Sequence, residues 1–316
     1  MKSNLKLILI TLGFAFAFSA IISTSLNFNS GANDKSSEYV NLKNSAVSGK
    51  IHIIGNSGWL DFRNDGKCTG EGTYSEPYLI KDLVINGGSS GSCIWIENSD
   101  VFFKIENCTV FNAQGPYPHY EAGIKLSSVS NGKLINNNCS FNEFDVRCSG
   151  IYLNESDFNI ISGNRVERNE LAGIYIRNGF YNTISGNIAI TNVWAGIHIT
   201  GGYNNTVLEN TAIDNDSGIT LESTDYNLVS GNIIRKNYEG IILWESDFNI
   251  IIGNKLSDNR YCINVYSGEN NIIRNNSCGN DQIPGYNLFF LITIIPFVVI
   301  FISTKLKRQK VKQAKY

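Results

Sequence analysis

The sequence predicts an all-β chain wound as a right-handed parallel β-helix solenoid of about eight to ten coils. Three observations carry this. One phrase returns every 22 or 23 residues, asparagine recurs in fixed columns of that phrase, and apolar residues alternate instead of following a helical period. Residues 150–164 read GIYLNESDFNIISGN and residues 240–254 read GIILWESDFNIIIGN. A unit this short cannot bury its own apolar face, so it must stack on copies of itself.

With Ile151 as position zero, the matching residues are Ile94, Ile124, Ile174, Ile197, Ile219, Ile241 and Ile263. Thirteen residues after each stands an asparagine: Asn107, Asn137, Asn164, Asn187, Asn210, Asn232, Asn254 and Asn276. A second column at +18 runs from Asn112 to Asn259, and a third at +8 from Asn159 to Asn271. Three asparagines per repeat separate three short apolar alternations, which read as three strands and three turns. Asparagine suits such turns because it tolerates left-handed backbone and its amide bonds to nearby main chain. Stacked coils place equivalent amides roughly 4.8 Å apart, close enough to form a ladder. Positions zero, +2, +10 and +15 (Ile151, Leu153, Ile161 and Val166 in one coil) are the expected core.

At the N-terminus, Lys2 and Lys6 precede an uncharged apolar run from Leu7 to Ile22, the pattern of a signal peptide over 1–25 or of an uncleaved anchor. Residues 26–50 are Ser-, Asn- and Lys-rich linker. Residues 51–91 are expected to form a β cap with one irregular coil, because an open solenoid end exposes strand edges and core. The glycines there lack phosphate-loop spacing. Residues 92–282 hold the repeats. The first two are longer, with insertions after the +18 asparagine that emerge side by side from adjacent coils. An apolar span over 286–304 approaches bilayer-crossing length, and the basic tail 305–316 is expected to stay cytoplasmic with the β-helix outside. Eight of the 26 Lys and Arg lie before Leu7 or after Thr304. The remaining 18 face all 28 Asp and Glu, a net charge of −10 for the intervening segment. That balance excludes nucleic acid as a partner and favours cations or polar neutral ligands.

The phrase Gly-Ile-x-Leu-x-x-Ser-x-x-Asn-x-Ile-x-x-Asn resembles the parallel β-helix repeat of NosD-like and pectate-lyase-like proteins over roughly Ile94 to Asn280. The layout, with Ile-Pro-Gly-Tyr286, a membrane span and a basic cluster, looks like archaeal cell-surface β-helix proteins with a C-terminal anchor. The tail also resembles tripartite archaeosortase signals, which would put Pro284 and Gly285 at a processing site; a plain anchor is the alternative. The NosD resemblance implies copper delivery. The sequence opposes it, since His52, His119 and His198 are scattered and the single Met is Met1. The pectate-lyase resemblance implies polysaccharide lyase or hydrolase chemistry, but the acidic clusters and basic motif it implies are not in register here.

Candidate site residues come from two places. The +1 column (Trp95, Lys125, Tyr152, Tyr175, His198) is expected to face outward, where aromatic rings stack on sugars or simply pack across strands. Arg177 and Glu222 lie two residues on. The two insertions gather Tyr117, His119, Tyr120, Glu121, Glu143, Asp145 and Arg147 beside Trp95 and Tyr152, forming a candidate ligand groove or tolerated surface loops. No cofactor is expected. Asp225 and Asp247, in register at +6, are weak Ca2+ candidates whose alternative is turn capping. Of seven cysteines, Cys139 and Cys148 flank the second insertion and are placed to close it, Cys139 and Cys278 share the inward +15 column, and the others do not pair by inspection. Sequons begin at Asn138, Asn154, Asn204, Asn215 and Asn275, and at Asn107, which the ladder is expected to bury. These residues imply a membrane-anchored surface module that binds glycan or a surface glycoprotein, or has a structural role, with a polysaccharide-degrading enzyme as the alternative. The oligomeric state is left open.

Overall fold

The computed structural model describes residues 46–115, 119–142 and 147–279. The expected signal peptide, most of the linker, the membrane span and the basic tail lie outside these residues. Within them the chain winds as a parallel solenoid of three sheets, with nine, nine and ten strands. We call them front (Ile51–Ile54 to Tyr261–Val265), side (Tyr78–Lys81 to Ile272–Arg274) and back (Ala46–Ser48 to Ser277–Cys278). Each coil contributes one strand to each sheet in turn.

The repeat spacing sets the register. Ile124, Ile151, Ile174, Ile197, Ile219, Ile241 and Ile263 pair in sequence along the front sheet. Ile94 and Ile51 extend the same column toward the N-terminus. The expected cap therefore contains a full coil, whose interior is Ile51, Ile53, Ile80 and Ile85. Ile151, Leu153, Ile161 and Val166 have no exposed surface, as the alternation requires. Gly173 precedes position zero because a Cβ there would sit 2.7 Å from Gly196 O and 2.9 Å from Asn192 Nδ2.

Asparagine joins the coils. The Oδ1 of Asn210 accepts from Asn187 N and Nδ2, both at 2.9 Å. Its own Nδ2 donates to Ile184 O (2.9 Å) and to Asn232 Oδ1 (3.0 Å), and its backbone N donates to Asn232 Oδ1 (2.8 Å). The pattern runs unbroken from Asn137 to Asn276, with parallel ladders through Asn142 to Asn259 and Asn159 to Asn271.

Asn107 and Asn112 are the exceptions and correct the expected ladders, Ala113 N donating to Asn142 Oδ1 (3.0 Å) in place of the expected Asn112. Between the paired residues Ser99↔Val129 and Phe103↔Gly132, the earlier coil spends one residue more in its first turn. Everything beyond shifts by one. Cys108 takes the ladder position and donates its N–H to Asn137 Oδ1 at 2.9 Å, while Asn107 is exposed in the corner with φ +54°.

A second departure is a helix, α1 (Gly55–Asn64), between the first front and side strands. The sequence GNSGWLDFRN is a poor helix former, so its reading as part of a β cap follows propensity. Packing overrides that preference: Trp59 is wholly buried and lies against Tyr78 and Phe103 at ring-centroid distances of 5.2 and 5.0 Å. At the other end Cys262 and Cys278 form a disulfide across the last described coil. Cys139 is a buried free thiol, so it pairs with neither Cys148 nor Cys278. Burial pushes the Cys139 thiol well above its usual range and Cys93 up to about 12, so both behave as small apolar residues.

Replacing Asn210 by Ala should destabilise the protein by about 1–3 kcal/mol, because buried partners on two coils lose their hydrogen bonds. Asn107→Asp, which keeps a residue tolerant of the left-handed backbone, should stay within about 0.5 kcal/mol, as an exposed residue making no buried contact. Denaturant melts of the two variants check the contrast, and equal losses would contradict the one-residue slip.

Candidate functional site

The outer face of the front sheet concentrates the aromatic and ionisable groups, and burial sorts them differently from expectation. The +1 column is a stack. His52 lies on Trp95 (4.2 Å between ring centroids), Lys125 Nζ sits 4.5 Å from the Trp95 ring, and Tyr152, Tyr175 and His198 follow at 5.2 and 4.8 Å. Rings repeated at strand spacing face one another and offer their edges outward. Tyr120 covers Tyr152 and Tyr175 (5.4 and 5.7 Å), and Arg147 lies 4.9 Å over Tyr120.

Tyr152 and Tyr175 are therefore buried, 3% and 5% exposed, so their expected role as open sugar-stacking platforms is corrected: the packing alternative holds. Among the other candidates, Trp95 and Glu121 are half-buried, with Glu121 accepting from Ser92 Oγ (2.5 Å) and pairing with Lys125 (3.4 Å). His119 is exposed. Tyr117, Glu143 and Asp145 lie outside the described residues. Asp225 and Asp247 cap turns, since their Oδ1 atoms accept from Asp247 N (2.8 Å) and Glu269 N (2.6 Å) on the following coils.

Farther along the face the exposed groups stand on two rims. Position +3 aligns Arg177, Thr200, Glu222 and Trp244 on consecutive strands, and position −3 aligns Leu171, Trp194, Asp216 and Tyr238. These two rims, roughly 20 Å apart by strand rise, flank a floor in which Ala195, Ser217 and Thr220 are small and buried, beside the buried His198 and Glu239 and the half-buried Ile242. Ser217 and Thr220 hydroxyls bond to each other at 2.7 Å. Arg177 and Asp216 are exposed, as are Trp194 (37%), Tyr238 (46%) and Trp244 (51%). Sequence reading passed over the −3 rim because it ranked only columns adjacent to the core. The same 22-residue count applied three residues before zero finds Trp194, Asp216 and Tyr238.

Perturbed ionisable groups cluster here. His198 is fully buried between Tyr175 and the edge of Trp194, and burial lowers its pKa. Its Nε2 is 2.9 Å from Glu222 Oε2, and that bond holds the Glu222 carboxyl below its usual range. An ionised Glu222 requires the proton on Nε2, so Nδ1 is a lone-pair acceptor, and it has no partner. Burial raises the Tyr152 pKa, and its hydroxyl donates to Asn154 Oδ1 at 3.3 Å, while the neighbouring Tyr152 raises the pKa of Arg177. Burial, then the nearby Glu239 charge, raises Asp216. His198 thus works from below, orienting Glu222 at the rim, and its buried ring does not reach a ligand in the trough.

A family model described as the right handed beta helix region matches residues 68–234, more than half of the chain. The chain belongs to the right-handed β-helix family. Over residues 181–292 this β-helix chain also matches the model of NosD, a periplasmic copper-binding protein. No curated protein sequence matches it. Similar solved structures include a variant of the periplasmic alginate epimerase AlgG (19% identity, 63% of this chain and 45% of that one, TM-score 0.46). Others are the A-module of the Azotobacter vinelandii mannuronan C-5 epimerase AlgE4 (14%, 62% and 73%, TM-score 0.47) and the Dettilon tailspike protein (13%, 74% and 60%, TM-score 0.50). The chain thus spans under half the length of the first of these, and the likeness is one of fold.

The residues of this β-helix do not fit copper. In the NosD-matching span the one histidine is the buried His198, Cys262 and Cys278 are joined to each other, and methionine is absent. Among the described residues no three His, Cys, Asp or Glu converge on a point that would hold a metal ion.

His198 also makes stability pH-dependent. Its folded pKa lies below the ordinary 6.5, so the unfolded chain takes up the proton first. Stability should be full above about pH 6.5 and fall as pH drops toward the folded value. Glu222 adds a loss below its ordinary 4.5, while the raised Asp216 acts in the opposite sense at the acid end. Thermal melts from pH 7 to pH 5 should show a falling midpoint, and His198→Gln should flatten that stretch.

Proposed function

We propose that this is an extracellular, membrane-anchored β-helix whose front-sheet trough binds a polar polysaccharide or the glycan of a surface glycoprotein. The observation that carries the reading is the pairing of exposed Trp194, Tyr238 and Trp244 with exposed Arg177 and Asp216 and half-buried Glu222 on the two rims. Indole and phenol edges supply apolar contact, and the charged groups supply hydrogen bonds to hydroxyls. The two rims run across strands, so an extended chain can follow them over several coils better than a compact ligand does. Their mixed charge suits a neutral or weakly charged glycan. The export signal and the apolar span with its basic tail support placement outside the cell with a membrane anchor.

Polysaccharide lyase or hydrolase activity is the second reading. The paired His198 and Glu222 favour it, and the burial of His198 weighs against it. Copper delivery and a resident metal have no place in this reading.

The test is the purified protein on a panel of acidic and neutral polysaccharides, scoring both binding and the release of cleaved or unsaturated products. Trp194→Ala and Arg177→Ala should each weaken binding about tenfold or more, of the order of 1.4 kcal/mol, with circular dichroism unchanged. Products formed at a rate abolished by Glu222→Gln would select the enzyme instead. Unchanged binding in both rim variants would reject the trough.

A further inference from the structure

Six asparagines head Asn-x-Ser/Thr sequons, the acceptor pattern for N-linked glycan in exported proteins. The fold sorts them by what each amide already does. Asn215 is a ladder member: its Oδ1 accepts from Asn192 N and Nδ2 (2.9 and 3.0 Å), and its Nδ2 donates to Ala189 O and Asn237 Oδ1 (3.3 and 3.0 Å). A sugar on that nitrogen would displace a ladder bond inside a closed interior. Asn138 and Asn154 are half-buried and accept from Ser140 Oγ and the Tyr152 hydroxyl (2.6 and 3.3 Å). Asn204 is half-buried in the turn column that holds Tyr181 and Tyr226.

Asn107 and Asn275 differ from the other four. Both are exposed, and neither side chain spends a hydrogen bond on the described residues. Both occupy the same corner, between side and back sheets, at the left-handed position just before the ladder (φ +54° and +55°). One belongs to the second coil and the other to the last. The disulfide between Cys262 and Cys278 independently places the folded chain in an oxidising compartment, where such transfer takes place.

We propose that Asn107 and Asn275 are N-glycosylation sites and that Asn215 stays unmodified despite its sequon. The donor is a lipid-phosphate-linked oligosaccharide. The amide Nδ2 forms a bond to the anomeric carbon, the carbon–oxygen bond to phosphate breaks with its electron pair leaving on the phosphate, and one amide proton passes to a base of the transferase. Both glycans then stand on the corner opposite the front sheet and leave the trough uncovered. This site is independent of what the trough binds.

Glycopeptide mass mapping of the full-length protein, purified from the cells that make it, tests the assignment. Peptides containing Asn107 and Asn275 should each carry one glycan mass increment, and the Asn215 peptide should carry none. Asn107→Asp, which keeps the left-handed tolerance, should lose one increment with an unchanged melting midpoint. Asn215→Gln should lose no increment yet lower the midpoint. An unmodified peptide at either Asn107 or Asn275, or a glycan on Asn215, overturns the proposal.

Discussion

The side-chain amide of asparagine, bonded at once to the coil before and the coil after, is the interaction on which this structure depends. Parallel strands in a solenoid make equivalent hydrogen bonds in neighbouring registers, so the backbone alone resists slippage weakly. A slip of one residue would turn the isoleucine columns out to solvent. The ladder opposes this because Asn187, Asn210 and Asn232 satisfy one another only when each stands directly over the next. Three such ladders, one per corner, pin each coil at three points, and the apolar interior fills the space between them.

Pinning the corners leaves the outer faces open to variation. On the front sheet this produces two regions of opposite character. In the N-terminal half, Tyr120 and Arg147 fold down over Tyr152 and Tyr175 and make a second small core outside the solenoid. Beyond Tyr175 the column continues through the buried His198 and Thr220, and the exposed aromatic and charged groups stand on the two rims. His198 lies at the boundary, belonging to the stack through its ring and to the trough through Glu222.

Most of the fold was legible in the sequence because a 22-residue period constrains every coil to the same answer. The failures fall where the period is broken. Asn107 carries the right residue type at the right count, but an extra residue in one turn makes Cys108 the ladder member, and counting from position zero does not tell a residue gained in the first turn from those gained in the later insertion. Trp59 anchors a helix that only its contact with Tyr78 and Phe103 explains. The site was less legible because parity assigns a side chain to a face without saying what lies above it. Tyr152 does point outward, and it is buried because an insertion returns across it. Trp194 and Tyr238 were overlooked since three residues before position zero is where a strand begins, and alternation carries little information there.

The ladder also has a direction. Every ladder Oδ1 receives from the preceding coil, while the backbone N and Nδ2 donate to the Oδ1 of the following one, so the upper surface of one coil is complementary to the lower surface of any other. Coils such as those beginning at Ile151 and Ile241 are therefore interchangeable parts. A genetic duplication that copies a whole unit of 22 or 23 residues would insert without disturbing its neighbours, whereas a gain of one residue must be absorbed in a corner, as happened before Phe103. The near-identity of 150–164 and 240–254 is what such lengthening by whole turns would leave behind.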